Sequence, residues 1–393
     1  MKKIVIFASC ERSFEELKNV YNYLYGKECK VIFLYSRQKE TMMPTEININ
    51  KFTVECNFEI DEKDFIYHFP SISTYLPFIP DSLLISRESW LPEKNLIVDF
   101  KQKGSLVYCI ENSSWLYNNI KTRLEILSRF SFPTNLIDIF FDHSSWTFQT
   151  KKEAGWVRHK SIITGIPKFD YTVTNHDQQT EMEYIIVYGS MEDNIRKNIL
   201  STMRDILNSD ISKKYKVCYR PHPKEFTDYK GDFVDTDNGP FKDVIVIENE
   251  NDLEGYVSKS YCNVGIFSSV MFYPILMKKN ILHIDSENSG VMSDFNFENF
   301  EGKEFDFWKS IINVKTFEEF IEKIGKDRVS NFEVRYKTML DAFNQNTRVY
   351  NEQNMNMLDN SPVDYSEITM YFDEYADGKA SERVGDFILR TYI

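Results

Sequence analysis

The sequence predicts an α/β protein of two domains, each built on a mainly parallel β-sheet covered by helices. Short apolar runs alternate with stretches whose apolar residues recur at helical spacing, which is typical of parallel sheets with crossover helices. The chain has 393 residues. A chain of that length usually folds around more than one hydrophobic core. A polar segment without apolar periodicity, Asn175–Glu181, separates two such series and indicates a linker.

The first series begins with an apolar run followed by a helical pattern. In Ser13–Tyr25 the apolar residues Phe14, Leu17, Val20 and Leu24 recur at helical spacing, which predicts an amphipathic helix. A second helix is predicted over Ser114–Ser128. The short apolar runs predict strands over Ile4–Ala8, Lys30–Tyr35, Leu83–Ser86, Asn95–Phe100, Ser105–Glu111, Leu136–Asp142 and Ser161–Thr164.

The second series repeats the same alternation after the linker. Its predicted strands are Tyr184–Tyr188, Lys216–Tyr219, Val244–Glu248, Asn263–Phe267 and Ile281–Ile284. Its predicted helices are Asp193–Leu207, Val270–Met277, Lys315–Ile324, Ser330–Asn344 and Ala380–Leu389. We therefore expect an acceptor-side domain over residues 1–172 and a nucleotide-binding domain over 183–375. Residues 376–393 are expected to form a helix that packs back toward the first domain.

Composition excludes several classes of protein. The formal net charge is −13, which argues against general nucleic-acid binding because that affinity comes largely from Lys and Arg. The six cysteines form no CxxC pair and no zinc-site spacing, so they indicate free thiols and a reducing cytoplasm. The apolar run after Met1 is too short for a signal peptide, and no run is long enough to span a bilayer. A peripheral association with the inner face of a membrane stays open.

A candidate phosphate site follows a predicted strand of the second domain. Tyr219-Arg220-Pro221-His222-Pro223 holds an imidazole between two prolines, which restrict the backbone on either side of it. Arg220 adds positive charge, and a histidine held in this way can donate to a phosphate. A rigid turn with no ligand is an equally good account of this segment alone.

Two further strand ends supply candidates for the same site. Ser268 and Ser269 stand between a predicted strand and a predicted helix, where hydroxyls and free backbone N–H groups can bind an anion. Ordinary helix capping is the alternative for these serines. Gly189-Ser190 ends another strand, and a glycine there lets the backbone approach a ligand. The pairing of Ser268-Ser269 with the upstream Arg220–Pro223 segment favours phosphate binding.

A transferase also needs a base that takes a proton from its acceptor. Glu111 and Asp142 each end a strand of the first domain and could serve, although helix capping explains both residues equally well. Asp235-Thr236-Asp237 has the spacing of a DxD metal motif, but it lies in a polar stretch of a chain rich in carboxylates. We therefore expect no metal and no cofactor.

The order of these motifs resembles a known group of proteins. Thr164–Asp170 (TGIPKFD), Tyr219–Pro223 (YRPHP), Phe267–Ser269 (FSS) and Asp377–Arg383 (DGKASER) occur in the order found in bacterial GT-B glycosyltransferases of surface-polysaccharide synthesis. The resemblance spans roughly residues 105 to 390. It includes the CDP-glycerol glycerophosphotransferase-like proteins and the sialyltransferases and Kdo transferases that share HP and Ser-Ser motifs. The final motif also resembles the end of UDP-N-acetylglucosamine 2-epimerases.

The resemblance implies a GT-B fold of two Rossmann-like domains with an interdomain cleft. It implies that His222, Ser268 and Ser269 contact the phosphate of a cytidine-linked donor, without a metal. Sialyltransferases of this group carry Asp/Glu-Asp-Gly at the position of the base, and the glycerophosphotransferases carry His-Gly. This chain has Glu111-Asn112-Ser113 instead, so Glu111 as the base is a hypothesis. The remaining donor-binding residues are expected to be Gly189, Ser190, Arg220 and Pro223.

The leading functional prediction is inverting transfer of a sialic acid-like or Kdo-like sugar from a CMP-activated donor to a glycan or glycolipid acceptor. Three alternatives remain. The same pocket could transfer a polyol phosphate from CDP-glycerol or CDP-ribitol, or it could belong to a UDP-sugar 2-epimerase. A glycan-binding subunit of a capsule assembly complex, without catalysis, is the fourth interpretation. The sequence leaves the oligomeric state open.

Overall fold

In the computed structural model, the chain forms two compact units. The first comprises Met1–Asp170, Phe295–Arg335 and Met370–Ile393, and the second comprises Tyr171–Asp294 and Tyr336–Thr369. The structure describes residues 1–38, 52–54, 76–86, 91–110, 136–153, 160–174, 181–190, 193–222, 225, 241–248, 250–284, 315–324, 337–359 and 361–391. The predicted domain limits stay a prediction.

The elements up to residue 174 alternate strands and helices. The strands are β1 (Lys2–Cys10), β2 (Cys29–Gln38), β3 (Phe52–Val54), β4 (Ser82–Ile85), β5 (Leu106–Ile110), β6 (Ile139–Asp142) and β7 (Lys160–Ile163). The helices are α1 (Glu11–Tyr25), α2 (Leu91–Gln102), α3 (Ser145–Glu153) and α4 (Asp170–Thr174), with a 3-10 turn over Pro167–Phe169.

The elements after residue 180 continue the alternation and end in a run of helices. The strands are β8 (Tyr184–Tyr188), β9 (Lys216–Arg220), β10 (Ile245–Val246), β11 (Ser260–Gly265), β12 (Ile281–His283) and β13 (Arg348–Val349). The helices are α5 (Asp193–Asn208), α6 (Glu250–Ser258), α7 (Phe272–Leu276), α8 (Phe317–Ile324), α9 (337–346), α10 (Glu352–Asn356), α11 (Ser366–Phe372) and α12 (Ala380–Arg390). Further 3-10 turns cover Asp210–Lys213 and Ser269–Met271.

The first unit is built on a seven-stranded sheet in the order β3-β2-β1-β4-β5-β6-β7. All its pairings are parallel except that of β2 with the edge strand β3. The interior strand β1 is buried from Ile4 to Ala8 because helices cover both faces. On one face it packs with Leu17 and Val20 of α1 and with Val384 of α12. Leu96, Ile97 and Phe100 of α2 line the core of the opposite face.

One predicted strand of this unit is wrong. Asn95–Phe100 lies within helix α2. The apolar run is continuous enough to resemble a buried strand, yet its burial follows a helix. Leu96, Ile97 and Phe100 are buried, while Asn95 and Val98 are only half-buried. The spacing i, i+1, i+4 belongs to one face of a helix. The predicted helix Ser114–Ser128 and residues 330–336 of the predicted helix Ser330–Asn344 lie outside the described residues.

The second unit is built on a six-stranded sheet in the order β10-β9-β8-β11-β12-β13. Every pairing in it is parallel. Helix α5 contributes Ile195, Ile199, Met203 and Ile206 to the core beneath β8 and β9. In both sheets the first strand of the unit is the third from one edge, the next two strands extend to that edge, and the fourth lies on the other side of the first. This is the strand order of a Rossmann-like sheet, so the predicted fold class is confirmed.

Candidate functional site

The predicted donor-site residues converge at one edge of the second sheet. Gly189 and Ser190 follow β8, His222 follows β9, and Ser268 and Ser269 follow β11. These three strands are neighbours and run parallel, so their carboxyl ends meet. The strand order reverses between β8 and β11, and open α/β sheets bind ligands at that point. Arg220 ends β9 at the same edge, while Pro223 and Glu111 lie outside the described residues.

The turn after β8 has no room for a side chain. The Gly189 N–H donates to the carbonyl oxygen of Arg220 at 2.8 Å, which joins the ends of β8 and β9. A Cβ atom at Gly189 would overlap Glu225 Oε1 and would lie 2.6 Å from the Tyr219 hydroxyl and 3.0 Å from the His222 nitrogen. Glycine is therefore required here by the packing of the neighbouring turn.

The turn after β9 is fixed by a buried carboxylate. The His222 N–H donates to Glu225 Oε1 at 2.7 Å, and the Glu225 N–H donates back to the His222 carbonyl oxygen at 2.8 Å. The Tyr219 hydroxyl donates to Glu225 Oε2 at 2.8 Å. Glu225 is only 4% exposed, and His222 is half-buried. The sequence patterns assign no role to Glu225, although Glu at i+3 from His222 has the spacing of a capping box.

Burial dominates the electrostatics of this turn. Desolvation raises the pKa of Glu225, while the hydrogen bonds from His222 and Tyr219 and the charge of Arg196 oppose the rise. Burial also raises the pKa of Tyr219, and the adjacent Glu225 carboxylate adds to that rise. Arg196 of α5 is itself buried at 2% exposure. A buried carboxylate is thus held near a buried guanidinium, beneath the edge where the candidate residues meet.

Arg220 makes well-defined contacts with its own unit. Its Nη1 donates to the carbonyl oxygens of Ile247 at 2.8 Å and Glu248 at 2.6 Å, in the segment that follows β10. The side chain is 8% exposed. These bonds tie the end of β9 to the adjacent strand and hold a fixed positive charge near the edge. Its contact with a donor phosphate stays a prediction.

The segment after β11 differs from its prediction. Val270–Met277 was expected to be a helix, but a 3-10 turn over Ser269–Met271 precedes a short helix, α7. Ser268 precedes that turn in an extended conformation (φ −157°, ψ 170°), and its side chain makes no capping hydrogen bond. Side-chain capping by Ser268 is therefore ruled out. Its carbonyl oxygen accepts the Met271 N–H at 2.9 Å.

Gly265 and Tyr188 explain how β8 and β11 lie so close together at this edge. A Cβ atom at Gly265 would lie 2.6 Å from Met271 Cε and 3.2 Å from Tyr188 Cβ. The buried Tyr188 hydroxyl donates to Asn263 Oδ1 at 2.9 Å, and Asn263 Nδ2 donates to Ser260 Oγ at 2.8 Å. This buried chain of hydrogen bonds fixes the two strands on which the Gly189 and Ser268 turns stand.

Asp142, the alternative base, is the last residue of strand β6 in the first unit. Asp142 and the following His143 are fully buried. Ser144 caps helix α3, since its Oγ accepts the Thr147 N–H at 3.1 Å. The Glu374 carboxylate accepts the Ser145 N–H at 2.6 Å at the same helix end. The N-cap of α3 is therefore Ser144.

Two motifs behind the family resemblance bind each other within the first unit. Asp170 accepts the N–H groups of Ala380 at 2.9 Å and Ser381 at 2.7 Å, at the start of α12. Arg383 donates to the Thr164 carbonyl oxygen at 3.2 Å and forms an ion pair with Asp377. We call Thr164–Asp170 together with Asp373–Arg383 the C-terminal clasp. These contacts connect the segment that follows β7 to the first turns of α12.

Gly165 shows why the clasp needs its particular backbone. Its φ is +86°, in the left-handed region that favours glycine, and a Cβ atom there would lie 2.7 Å from Asp373 Oδ1. Asp373 accepts the Ile166 N–H at 3.3 Å and the Ala376 N–H at 3.0 Å. Burial raises the pKa of Asp373 to about 7.

Two features of the described residues concern a membrane and a metal ion. Among the residues that the structure describes, no helix combines the length and apolar character that crossing a membrane requires. Within those same ranges, no three His, Cys, Asp or Glu side chains are grouped so that they could hold a metal ion.

Comparison with known proteins places the fold. No model of a protein family matches the sequence, and no curated protein matches it either. Among solved structures, MnaA of S. aureus with UDP has a TM-score of 0.54 at 15% identity, over 99% of this chain and 96% of that one. The UDP-GlcNAc 2-epimerase of Neisseria meningitidis bound to UDP-GlcNAc has a TM-score of 0.50 at 12% identity, over 100% of both chains.

A polymerase is also similar. The wall teichoic acid polymerase TagF has a TM-score of 0.53 at 14% identity, over 99% of this chain and 88% of that one. The chain has the GT-B fold that these enzymes share. At such low identities the likeness concerns the fold alone.

Proposed function

We propose that this protein is a GT-B transferase of surface-glycan synthesis that uses a nucleotide-activated donor. The observation that carries the proposal is the meeting of Gly189-Ser190, His222 and Ser268-Ser269 at the carboxyl ends of three adjacent strands. The edge combines the half-buried His222 with the hydroxyl groups of three serines. Those are the groups that a donor phosphate needs.

The leading form of the proposal is inverting transfer from a CMP-activated acidic sugar. The acceptor oxygen attacks the anomeric carbon and forms the new glycosidic bond. The bond from that carbon to the phosphate oxygen breaks, and CMP leaves with the electron pair. His222 and the serine hydroxyls stabilise the negative charge on the departing phosphate. Glu111 takes the proton of the acceptor hydroxyl, and no metal is required.

The second candidate is transfer of a polyol phosphate from a CDP-polyol to a glycan acceptor. The likeness to TagF supports it, since a TagF variant was soaked with CDPG. The acceptor oxygen then attacks the phosphorus of the polyol phosphate, and CMP is again the leaving group. The same cluster of donors would serve, because such chemistry depends on positioning and charge stabilisation. The likeness to a UDP-GlcNAc 2-epimerase keeps a UDP-sugar epimerase as the third candidate.

A thermal-shift panel of CMP, CDP, UDP and GDP tests the donor assignment. A ligand that binds only the folded protein raises its stability by RT ln(1 + [L]/Kd). We expect CMP and CDP to raise the melting temperature and UDP and GDP to leave it nearly unchanged. A preference for UDP would favour the epimerase, and conversion of UDP-GlcNAc without an acceptor would establish it. No stabilisation by any of the four would reject a nucleotide-dependent transferase.

Donor hydrolysis then separates the first two candidates. CMP released from CMP-sialic acid or CMP-Kdo supports sugar transfer, whereas CMP released from CDP-glycerol or CDP-ribitol supports polyol phosphate transfer. The acceptor need not be known, because many transferases hydrolyse their donor slowly in water. Release from neither donor class, by a protein that binds CMP, would favour a nucleotide-binding subunit without catalysis.

A further inference from the structure

The Pro221-His222-Pro223 segment contains a single backbone donor. Proline has no N–H, so His222 supplies the one amide proton of these three residues. That proton is directed to Glu225 Oε1 at 2.7 Å. The backbone N–H of this turn is therefore bound to a carboxylate of the protein.

The same carboxylate is fixed from a second direction. Its other oxygen, Oε2, accepts the hydroxyl of Tyr219, whose ring is completely buried in β9. Both oxygens of Glu225 are thus engaged, one by the strand and one by the turn. Oε1 also lies against Gly189, so the turn after β8 rests on the same group.

The charge of Glu225 is unfavourable for a phosphate bound nearby. Two negative groups in a site of low polarity repel each other, and burial of a carboxylate already costs free energy. Arg196 offsets part of this cost through its charge. The buried carboxylate beneath this anion site is best explained by the positions in which it holds the turns after β8 and β9.

We propose that Glu225 is a positioning residue, which orients His222 and the Gly189 turn for the phosphate without touching the ligand itself. The inference rests on the proposed function, because it assigns a purpose to the geometry of that same site. It predicts that shape matters at position 225 and charge does not. Gln can still accept the His222 N–H and still meet the Tyr219 hydroxyl, whereas Ala can do neither.

Hydrogen exchange tests the contact without any ligand. In protein labelled with 15N-histidine, six backbone amide signals are expected, and His222→Gln identifies the one of interest. We expect Glu225→Ala to accelerate exchange of the His222 amide by about tenfold, as loss of its hydrogen bond implies. Glu225→Gln should keep it slow. Equal exchange rates in the parent protein and Glu225→Ala would overturn the proposal.

Nucleotide affinity tests the purpose of the contact. We expect Glu225→Ala to weaken binding of CMP by about tenfold, and Glu225→Gln to restore affinity to within about threefold of the parent. The matched control is Glu183→Ala, which removes a carboxylate just before the opposite end of β8, where Glu183 pairs with Lys259. Its CMP affinity should equal that of the parent. Full affinity in Glu225→Ala would overturn the positioning role.

Two further outcomes are decisive. If Glu225→Ala does not fold, Tyr219→Phe takes its place, because it removes only the hydroxyl that holds Oε2. Unchanged His222 exchange and unchanged CMP affinity in Tyr219→Phe would then overturn the proposal. If the parent protein binds no nucleotide, the proposed function fails, and the exchange experiment alone decides whether Glu225 orients His222.

Discussion

His222 is the residue whose removal should separate chemistry from folding. A donor aimed at charge that develops in a transition state contributes roughly 10² to 10³ in rate. His222→Ala should therefore reduce donor hydrolysis by about that factor, with little change in melting temperature because the side chain is half-buried. Lys216→Ala, at the opposite end of β9, is the charged control and should keep full activity. Unchanged turnover in His222→Ala would remove His222 from the site.

Gly189 is constrained by packing, and its replacement should be costly. A methyl group there would meet Glu225, the Tyr219 hydroxyl and the His222 nitrogen. Overpacking of this kind typically costs about 1–3 kcal/mol, so Gly189→Ala should lower the free energy of unfolding by that amount. It should also abolish stabilisation by the nucleotide. Urea denaturation with and without CMP measures both effects.

Gly255 provides the matched control for that substitution. It lies inside α6, and a Cβ atom there would meet nothing within 4 Å. Gly255→Ala should therefore stabilise the protein by roughly 0.5–1 kcal/mol, through helix propensity. Equal effects of the two substitutions would contradict the steric account of Gly189.

At the candidate site, the sequence predicted those residues whose chemistry is visible locally. His222 between two prolines and Ser268-Ser269 after a strand are patterns within a few positions. The contacts that hold them are not local. Tyr219 meets Glu225 across a turn, and Gly189 is constrained by the neighbouring strand. Arg196 comes from helix α5, more than twenty positions upstream of Tyr219, and no spacing rule joins them.

Helix α12 depends on a carboxylate from another segment for its first turn. Asp170 accepts two N–H groups there, from Ala380 and Ser381. The first N–H groups of a helix have no partner within the helix, so loss of such a cap costs about 1–2 kcal/mol. Asp170→Ala should lower the free energy of unfolding by that amount. Asp210→Ala, which breaks an exposed ion pair with Lys213, should leave it nearly unchanged.

The sequence pattern predicts the limits of strand β8 and helix α5 closely. Strand Tyr184–Tyr188 is confirmed at both ends, and predicted helix Asp193–Leu207 ends one residue early. Both are bounded by polar residues that make their limits plain. Helix α2 was mistaken for a strand because an apolar run buried on one helix face has no visible alternation. Helices α3 and α6 were missed, since their short patterns contain few apolar residues.

The whole chain repeats one architecture, and this was predictable from its alternation of elements. Parallel sheets need crossover helices, and each crossover leaves its polar turn at the same edge. The positions of the candidate residues in both units follow from that rule. The C-terminal clasp does not, because it joins Thr164–Asp170 to Asp373–Arg383 through contacts of long sequence separation. Resemblance to known families marked these two motifs, but only the structure shows that they bind each other.

The stability of the molecule should depend on pH through the buried carboxyls of the clasp and the donor-site turn. Burial raises the pKa of Asp373 from its ordinary 3.8 to about 7, and the negative charge of Asp170 adds to the rise. Burial also raises the pKa of Asp170 and of Glu225. At these carboxyls the folded chain therefore binds more protons than the unfolded chain, and for Asp373 it does so between about pH 4 and 7.

The sign of the effect follows from that difference. The stabilisation that comes from the proton on Asp373 is complete below about pH 4 and is lost as the pH rises through about 7. The free energy of unfolding should fall with rising pH, by up to about 1.4 kcal/mol per pH unit for this one group. Carboxyls with a lowered pKa, such as Asp377 beside Arg383, contribute with the opposite sign near their ordinary pKa, at the acid end of this range.

Comparison with Asp373→Asn isolates the contribution of that carboxyl from every other titrating group. Asn has no proton to gain in this range, and it can still accept an N–H from Ala376 or Ile166. Urea denaturation of the parent and the variant at pH 5, 6, 7 and 8 should give a shallower dependence in the variant. The difference in slope between the two curves should be largest between pH 5 and 7. Parallel curves would show that the buried Asp373 keeps its charge throughout, and that the contacts of the clasp suffice to hold it ionised.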